Sequence, residues 1–347
     1  MEHIAIDLGG RKSRICVRDN QGTIVEEHTC LTRQLGRYLE MRPFSRVVLE
    51  TCSEAFAVAD QAIQIGHEVR VVPATLVKSL GVGSRRVKTD KKDAQELSEV
   101  SSRIDLPSVH IPSAQSREWK ALCSARDSLV RSRTKLINHT RGWLRTQLAQ
   151  VRSGGVQSFP ERVEEKLLSR PEGMPAYIDR ELHSIKTLNE QIAEADNELR
   201  QIAAQDARCR NLMTVPGVGP VTSLRFVATI DEVSRFRGAH GLQSYLGLTP
   251  GENSSSMRER KISITKAGSP AMRWLLVQAA WCAWRTRPDD PMVRWAKQVG
   301  KRRGTQIGVI ALSRKLGGIL YAILRNGTHY QSKRAADSLP PPANSAA

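Results

Sequence analysis

The order of apolar and polar residues changes character about a third of the way along the chain. Up to residue 75, short apolar runs and strict alternation predict strands at 3–7 ("HIAID"), 13–19 ("SRICVRD"), 23–29 ("TIVEEHT"), 45–51 ("SRVVLET") and 67–74 ("HEVRVVPA"). Helical spacing interrupts them at 31–41 and at 53–66, where Ser53 is placed to cap and Gly66 to stop the helix. The order β-β-β-α-β-α-β-α predicts an α/β domain. From about 113 to 207 the period becomes helical. Ile185, Leu188, Ile192, Ala195, Leu199 and Ile202 follow a near-heptad seam, which predicts two long helices forming a hairpin or a dimeric coiled coil. A plain helical bundle has the same pattern.

Two further helices are expected near the end, one opening at Ser269–Pro270 and one over roughly 304–325. Trp274, Trp281 and Trp284 read as core residues of the first of these. The tail "SLPPPANSAA" reads as disordered. Between the long helices and these lies "TVPGVGPVTS", whose "PGVGP" turn resembles a helix-hairpin-helix. In that motif, glycine amides at Gly217 and Gly219 approach a nucleic-acid phosphate closely. The same turn also serves simply to join two helices.

Charge narrows the class. The chain has 347 residues, 53 Lys+Arg against 35 Asp+Glu, and a net charge of +18, which predicts a polyanionic partner. No apolar run approaches the roughly 20 residues of a membrane span, and the short apolar start is no signal peptide. A cytoplasmic protein without membrane contact is the expectation. Six scattered cysteines lack a CxxC pair and read as reduced core residues rather than zinc ligands.

Against this background the acids stand out. Asp7 ends the first predicted strand and Glu50 the fourth. Asp90 and Asp93 lie three apart in "RRVKTDKKDAQELSEV", on one face of a helix's first turn. Four such carboxylates suit two Mg²⁺ ions about 4 Å apart, the arrangement used in phosphodiester chemistry. Arg85, Arg86, Lys88, Lys91 and Lys92 would flank a DNA backbone. Helix capping alone also accounts for Asp90 and Asp93. "AIDLGGRKSRICVRDNQG" resembles the first phosphate loop of sugar kinases and actin-like ATPases, but their second acidic glycine loop and adenosine loop have no counterpart here. A second cluster, Ser254, Ser255 and Ser256, lies in a polar loop beside Arg258, Arg260, Lys261 and Lys266. A serine there attacks phosphorus only if positioned and activated.

Taken in order, "AIDLGG", "VVLETCS", "KTDKKDA", "TVPGVGPVTS", "YLGLTPGENSSS", "ISITKAGSPAMRWLLVQAAW" and "GVIALSRKLGGILYAILRNGTHY" resemble the insertion-sequence transposases of the IS110/IS1111 group over roughly residues 1–331. The resemblance implies a RuvC-like, RNase H-like DEDD domain at 1–112 and coiled-coil helices at 113–207. It implies a serine-bearing transposase domain at 208–298 and a C-terminal helix, 299–334, packing on the first domain, before a tail at 335–347. It implies that Asp7, Glu50, Asp90 and Asp93 hold the metal and that Ser255 becomes joined to DNA, although Ser256 and Met257 stand where similar proteins carry glycines, so Ser254 and Ser256 remain alternatives. It implies donor and target DNA, a structured noncoding bridge RNA as guide, and a dimer or tetramer assembled through the coiled coil. A junction nuclease using water, or a noncatalytic helix-hairpin-helix DNA-binding protein, would share much of this pattern.

Overall fold

The computed structural model describes residues 1–79, 90–168, 173–252 and 261–332, with backbone alone at 78, 79, 90–92, 252, 261 and 262. Chain contacts divide into two units, Met1–Pro112 and the chain from Ser113 onward.

The first unit contains β1 (Glu2–Asp7), β2 (Lys12–Arg18), β3 (Ile24–Leu31), α1 (Leu35–Glu40), β4 (Ser45–Glu50), α2 (Ala55–Ile65), β5 (Glu68–Val72), α3 (Ala74–Ser79) and α4 (Asp90–Arg103). The strands form one sheet in the order β3-β2-β1-β4-β5. The three N-terminal strands meander antiparallel, whereas β4 lies parallel to both β1 and β5. Alternation explains the layers. Ile4, Ile6, Val47 and Leu49 bury one face against α1 and α2, and Ala5, Val48 and Val72 bury the other against Leu97 of α4. Gly66 ends α2 in a left-handed conformation (φ 106°), while Glu54 rather than Ser53 occupies the N-cap position.

The second unit contains α5 (Ala114–Thr146), α6 (Phe159–Leu168), α7 (Ala176–Gln205), α8 (Ala207–Met213), α9 (Pro220–Ile230), α10 (Ala239–Tyr245), β6 (Pro250–Glu252), β7 (Lys261–Ile264), α11 (Pro270–Thr286), α12 (Pro291–Arg303) and α13 (Thr305–Asn326). Helices α5 and α7 are antiparallel. Arg126 Nε donates to Asp196 at 2.8 Å, Arg133 to Asn189 at 2.9 Å and Thr140 to Glu181 at 2.9 Å, so seven residues forward on one helix match about seven back on the other. The apolar seam Ile178, Leu182 and Ile185 is buried against Ile137 and Leu144 of α5 and Phe159 and Val163 of α6. Of the two arrangements expected for these helices, the hairpin within one chain is the one present.

Three other expectations change. Helix α13 is long and apolar enough to cross a membrane. Its apolar residues Val309, Leu312, Leu316 and Leu320 instead belong to the core of the second unit. Helix α11, capped by Ser269, buries Met272, Leu275, Leu276, Ala279, Ala280 and Ala283. Trp274 lies away from that face, 54% exposed, and Trp281 meets Trp284 edge to face with centroids 6.2 Å apart. Only half of the cysteines are core residues: Cys16, Cys123 and Cys209 are buried, Cys30 is half-buried, and Cys52 and Cys282 are exposed. Burial pushes the Cys209 thiol up to about 12.

The "PGVGP" turn joins α8 to α9. Gly217 there has φ +84°, and an added Cβ would strike the Ala279 carbonyl of α11. Helix packing within the protein is thus by itself enough to require glycine there. Nothing lies within 4 Å of a Cβ placed on Gly219. Gly217→Ala should therefore destabilise the protein by about 3 kcal/mol, and Gly219→Ala by less than about 0.5 kcal/mol, as measured by denaturant unfolding.

Candidate active site

The register of β1 on β4 decides where the first two acids lie. Ile6 pairs with Leu49, so the next residues, Asp7 and Glu50, end adjacent parallel strands, with backbones about 4.8 Å apart. The alternation that sends Ile6 and Leu49 toward α2 sends Asp7 and Glu50 to the opposite face, the one covered by α4.

Helix α4 runs back along β1. His3 Nδ1, near the start of the strand, lies 3.0 Å from Ser101 Oγ. Farther along, Ser98 Oγ donates to Cys16 Sγ at 3.2 Å, and Cys16 is the cross-strand partner of Ala5. Two strand residues span the rise of about four to five helical residues. The first turn of α4, with Asp93, thus comes level with Asp7. Arg18 fixes the far part of the helix, donating to Ser98 Oγ at 3.0 Å and reaching Glu99 at 3.8 Å. Burial and the nearby charge of Arg46 hold the His3 imidazole below its ordinary pKa, so the contact to Ser101 is made by a neutral ring at pH 7.

The structure therefore gathers Asp7, Glu50 and Asp93 at one end of one sheet face. Among the described residues, however, no three His, Cys, Asp or Glu side chains already converge as a metal-holding group. Asp90 begins α4, and its side chain lies outside the described set, as do those of Lys91 and Lys92. Arg85, Arg86 and Lys88 lie outside the described residues altogether. The donors present are hard carboxylate oxygens, the chemistry that Mg²⁺ takes. The positive end of the α4 dipole also favours anionic groups at its first turn.

Two neighbours of this edge escaped the sequence reading. Arg14 is the cross-strand partner of Asp7, so it projects from the same face, and it donates to Thr29 Oγ1 at 2.9 Å. Glu54 Oε1 adjoins Gly10, 3.9 Å from where a Cβ would stand. Alternation along β2 was the available signal for Arg14. No local pattern marks Glu54, which reaches the edge through the β4–α2 turn.

In the second unit, residues 253–260, with Ser254, Ser255, Ser256, Arg258 and Arg260, lie outside the described residues and connect β6 to β7. Those strands form an antiparallel hairpin. Its base is tied by Thr265 N–H to Thr249 O at 2.9 Å and Lys266 N–H to Gly247 O at 3.1 Å. Arg273 of α11 donates to the Leu246 carbonyl at 3.3 Å beneath it. Lys266 is exposed and holds a left-handed conformation (φ 57°) at that base; Lys261 opens β7, its side chain undescribed. Farther on, α12 ends in Lys301, Arg302 and Arg303, and no acid occurs from Pro291 to Ser332.

Comparison with known proteins agrees with both halves of this description. Residues 4–148 match the DEDD model of the IS110 transposases, described as "Transposase", and residues 209–292 match "Transposase IS116/IS110/IS902 family". The chain belongs to the IS110/IS1111 family of transposases. It is an enzyme acting on DNA, with an RNase H-like DEDD sheet and a helical C-terminal region. The "Probable family 20 transposase" of Pseudomonas aeruginosa is 29% identical over 344 residues, 95% of this chain and 99% of the relative. The transposase for insertion sequence element IS1111A of Coxiella burnetii is 27% identical over 334 residues, 94% and 91% of the two chains. The pilin gene-inverting protein of Moraxella lacunata is 27% identical, covering 79% of this chain and 78% of its own.

Proposed function

We propose that this transposase is a site-specific recombinase that cuts and rejoins DNA through a covalent serine–DNA intermediate, guided to its sites by a structured noncoding RNA. The observation that carries the catalytic part is the register that puts Asp7 and Glu50 side by side, level with the first turn of α4. Asp7, Glu50, Asp90 and Asp93 would hold Mg²⁺, two ions in the fullest form. Bound there, the metal supplies positive charge that stabilises the phosphate as charge develops on it and helps ionise the attacking hydroxyl.

Ser255, in the segment of sequence between β6 and β7, is the proposed nucleophile. Its oxygen bonds to phosphorus while the bond from phosphorus to the leaving sugar oxygen breaks, and that oxygen takes up the proton the serine gives away. Attack by a sugar hydroxyl from another strand reverses the step and rejoins DNA. A relative named for inverting a pilin gene supports site-specific exchange. Exchange at two sites needs more than one active centre, so a dimer or tetramer follows, with the long helices of the second unit as its assembly surface. RNA pairing would read sequence, leaving the protein to hold backbone through Arg85, Arg86, Lys88, Lys91, Lys92, Arg258, Arg260, Lys261 and Lys266, with Gly219 at the hairpin-like turn.

The test is a denaturing gel of labelled element-junction DNA after incubation with protein expressed together with its flanking transcript. With Mg²⁺, a protease-sensitive shifted band is expected. It should vanish in EDTA, and it should vanish when the transcript is removed with ribonuclease. Cleavage without any adduct makes water the nucleophile and overturns the serine mechanism. Adduct formation after ribonuclease overturns RNA guidance.

A further inference from the structure

A cleft in the first unit is not used by this mechanism. It measures about 270 Å³ and is lined by Gly10, Arg11, Leu31 and Arg33. It is built from the β1–β2 turn and the end of β3. Because β1 and β2 are antiparallel, as are β2 and β3, these segments lie at the sheet end that carries Asp7 and Glu50.

The walls are fixed. An added Cβ on Gly9 would run into the Lys12 carbonyl oxygen, so the turn is closed tightly on itself. Thr32 N–H donates to the Arg11 carbonyl at 3.0 Å, and its hydroxyl donates to the Gly9 carbonyl at 2.6 Å. Ser13 Oγ lies 2.8 Å from the same hydroxyl. The turn and the β3 end thus form one tied body, and the space between them does not depend on a flexible loop.

The lining is cationic and available. Other arginines of this sheet are engaged: Arg46 with Glu68 at 3.1 Å, Arg70 with Glu68 at 2.8 Å, Arg18 with Ser98. Among the described residues neither Arg11 nor Arg33 has an ion-pair or hydrogen-bond partner for its guanidinium, and both are exposed. Two unsatisfied planar forks facing a cleft match the oxygens of a phosphodiester, and Leu31 offers an apolar wall for the attached sugar. At about 30 Å³ per water, the cleft has room for a phosphate and part of its ribose.

We propose that Arg11 and Arg33 form a phosphodiester subsite that holds the nucleic-acid backbone at the acid edge of the sheet. The subsite deepens the catalytic reading above and rests on it for its purpose. Its occupant is recognised by the backbone charge that DNA and RNA share, and the test separates the two.

The test measures binding of the full-length protein by fluorescence anisotropy in EDTA, where no cleavage occurs. The probes are element-end DNA and flanking-transcript RNA, each carrying one neutral methylphosphonate at successive positions. In the wild type, neutralising the bound phosphate should weaken binding by roughly tenfold. Arg11→Ala/Arg33→Ala should bind the unmodified probe more weakly and be indifferent to that same methylphosphonate, the coupling expected of direct partners. Arg11→Lys/Arg33→Lys, which keeps charge without the fork, should recover part of the affinity. Coupling in the DNA series or in the RNA series identifies the strand held. If every methylphosphonate costs the alanine variant as much as it costs the wild type in both series, the subsite is refuted. Cleavage by Asp7→Asn, assayed separately with Mg²⁺, reports on the acid reading alone, so the failure of either is seen without the other.

Discussion

Asp7→Asn should cut junction DNA on the order of a thousandfold more slowly than the wild type, while melting at the same temperature and binding the same DNA. The substitution keeps the size of the side chain and its place at the end of β1. It removes one negative donor oxygen from a set that offers Mg²⁺ only hard anionic ligands. Metal stabilisation of a transferring phosphate supplies several kcal/mol, and about 1.4 kcal/mol is a factor of ten in rate. Glu50→Gln should behave similarly, because the two residues end neighbouring parallel strands. Single-turnover cleavage at saturating protein is the measurement. Wild-type rates in both variants would show that this sheet edge is not where phosphodiester chemistry occurs.

Ser255→Ala should abolish the protein–DNA adduct, by at least about a thousandfold, since loss of a nucleophile removes the covalent route entirely. Ser254→Ala and Ser256→Ala should retain it. All three serines lie between β6 and β7 in the sequence, so the three variants test neighbouring positions of one segment. The adduct, digested with protease and mapped by mass spectrometry, should carry its nucleotide on Ser255. An adduct that survives Ser255→Ala but fails in one neighbouring variant moves the role to that neighbour. An adduct that survives all three variants places the attacking group elsewhere.

The acid-bearing edge of the sheet was legible because alternation reports on strands directly. Ile4, Ile6, Val47 and Leu49 mark a buried face, and the acids that follow them fall at strand ends whatever the connecting loops do. Packing partners were less legible. Gly217 looked like a phosphate contact because the sequence displays a glycine turn without displaying α11, whose Ala279 carbonyl requires that glycine. Trp281 and Trp284 do pack against the core, but Trp274 looked like core only because tryptophan is apolar; alanines and leucines occupy the buried side of α11 where helices approach closely. The seam of α7 gave the right period and left its partner open. A heptad records that a helix meets another, not whether that other belongs to the same chain. Helix α13 is similar: its composition suits a lipid or a protein interior equally, and only α10, α11 and α12 packed around it decide the matter.

The parallel pairing of β1 and β4 has a consequence for how members of such a lineage can change length. Facing direction in a strand reverses with every residue. One codon lost between Ser45 and Leu49 would either slide β4 against β1 or turn Glu50 to the α2 side, away from Asp7. A codon gained at 51–54, beyond the strand, leaves both acids where they are. Natural insertions and deletions should therefore collect in the turns after Asp7 and Glu50, and a scan of single-codon deletions through 40–60, scored by transposition frequency, should show a sharp intolerant block ending at Glu50.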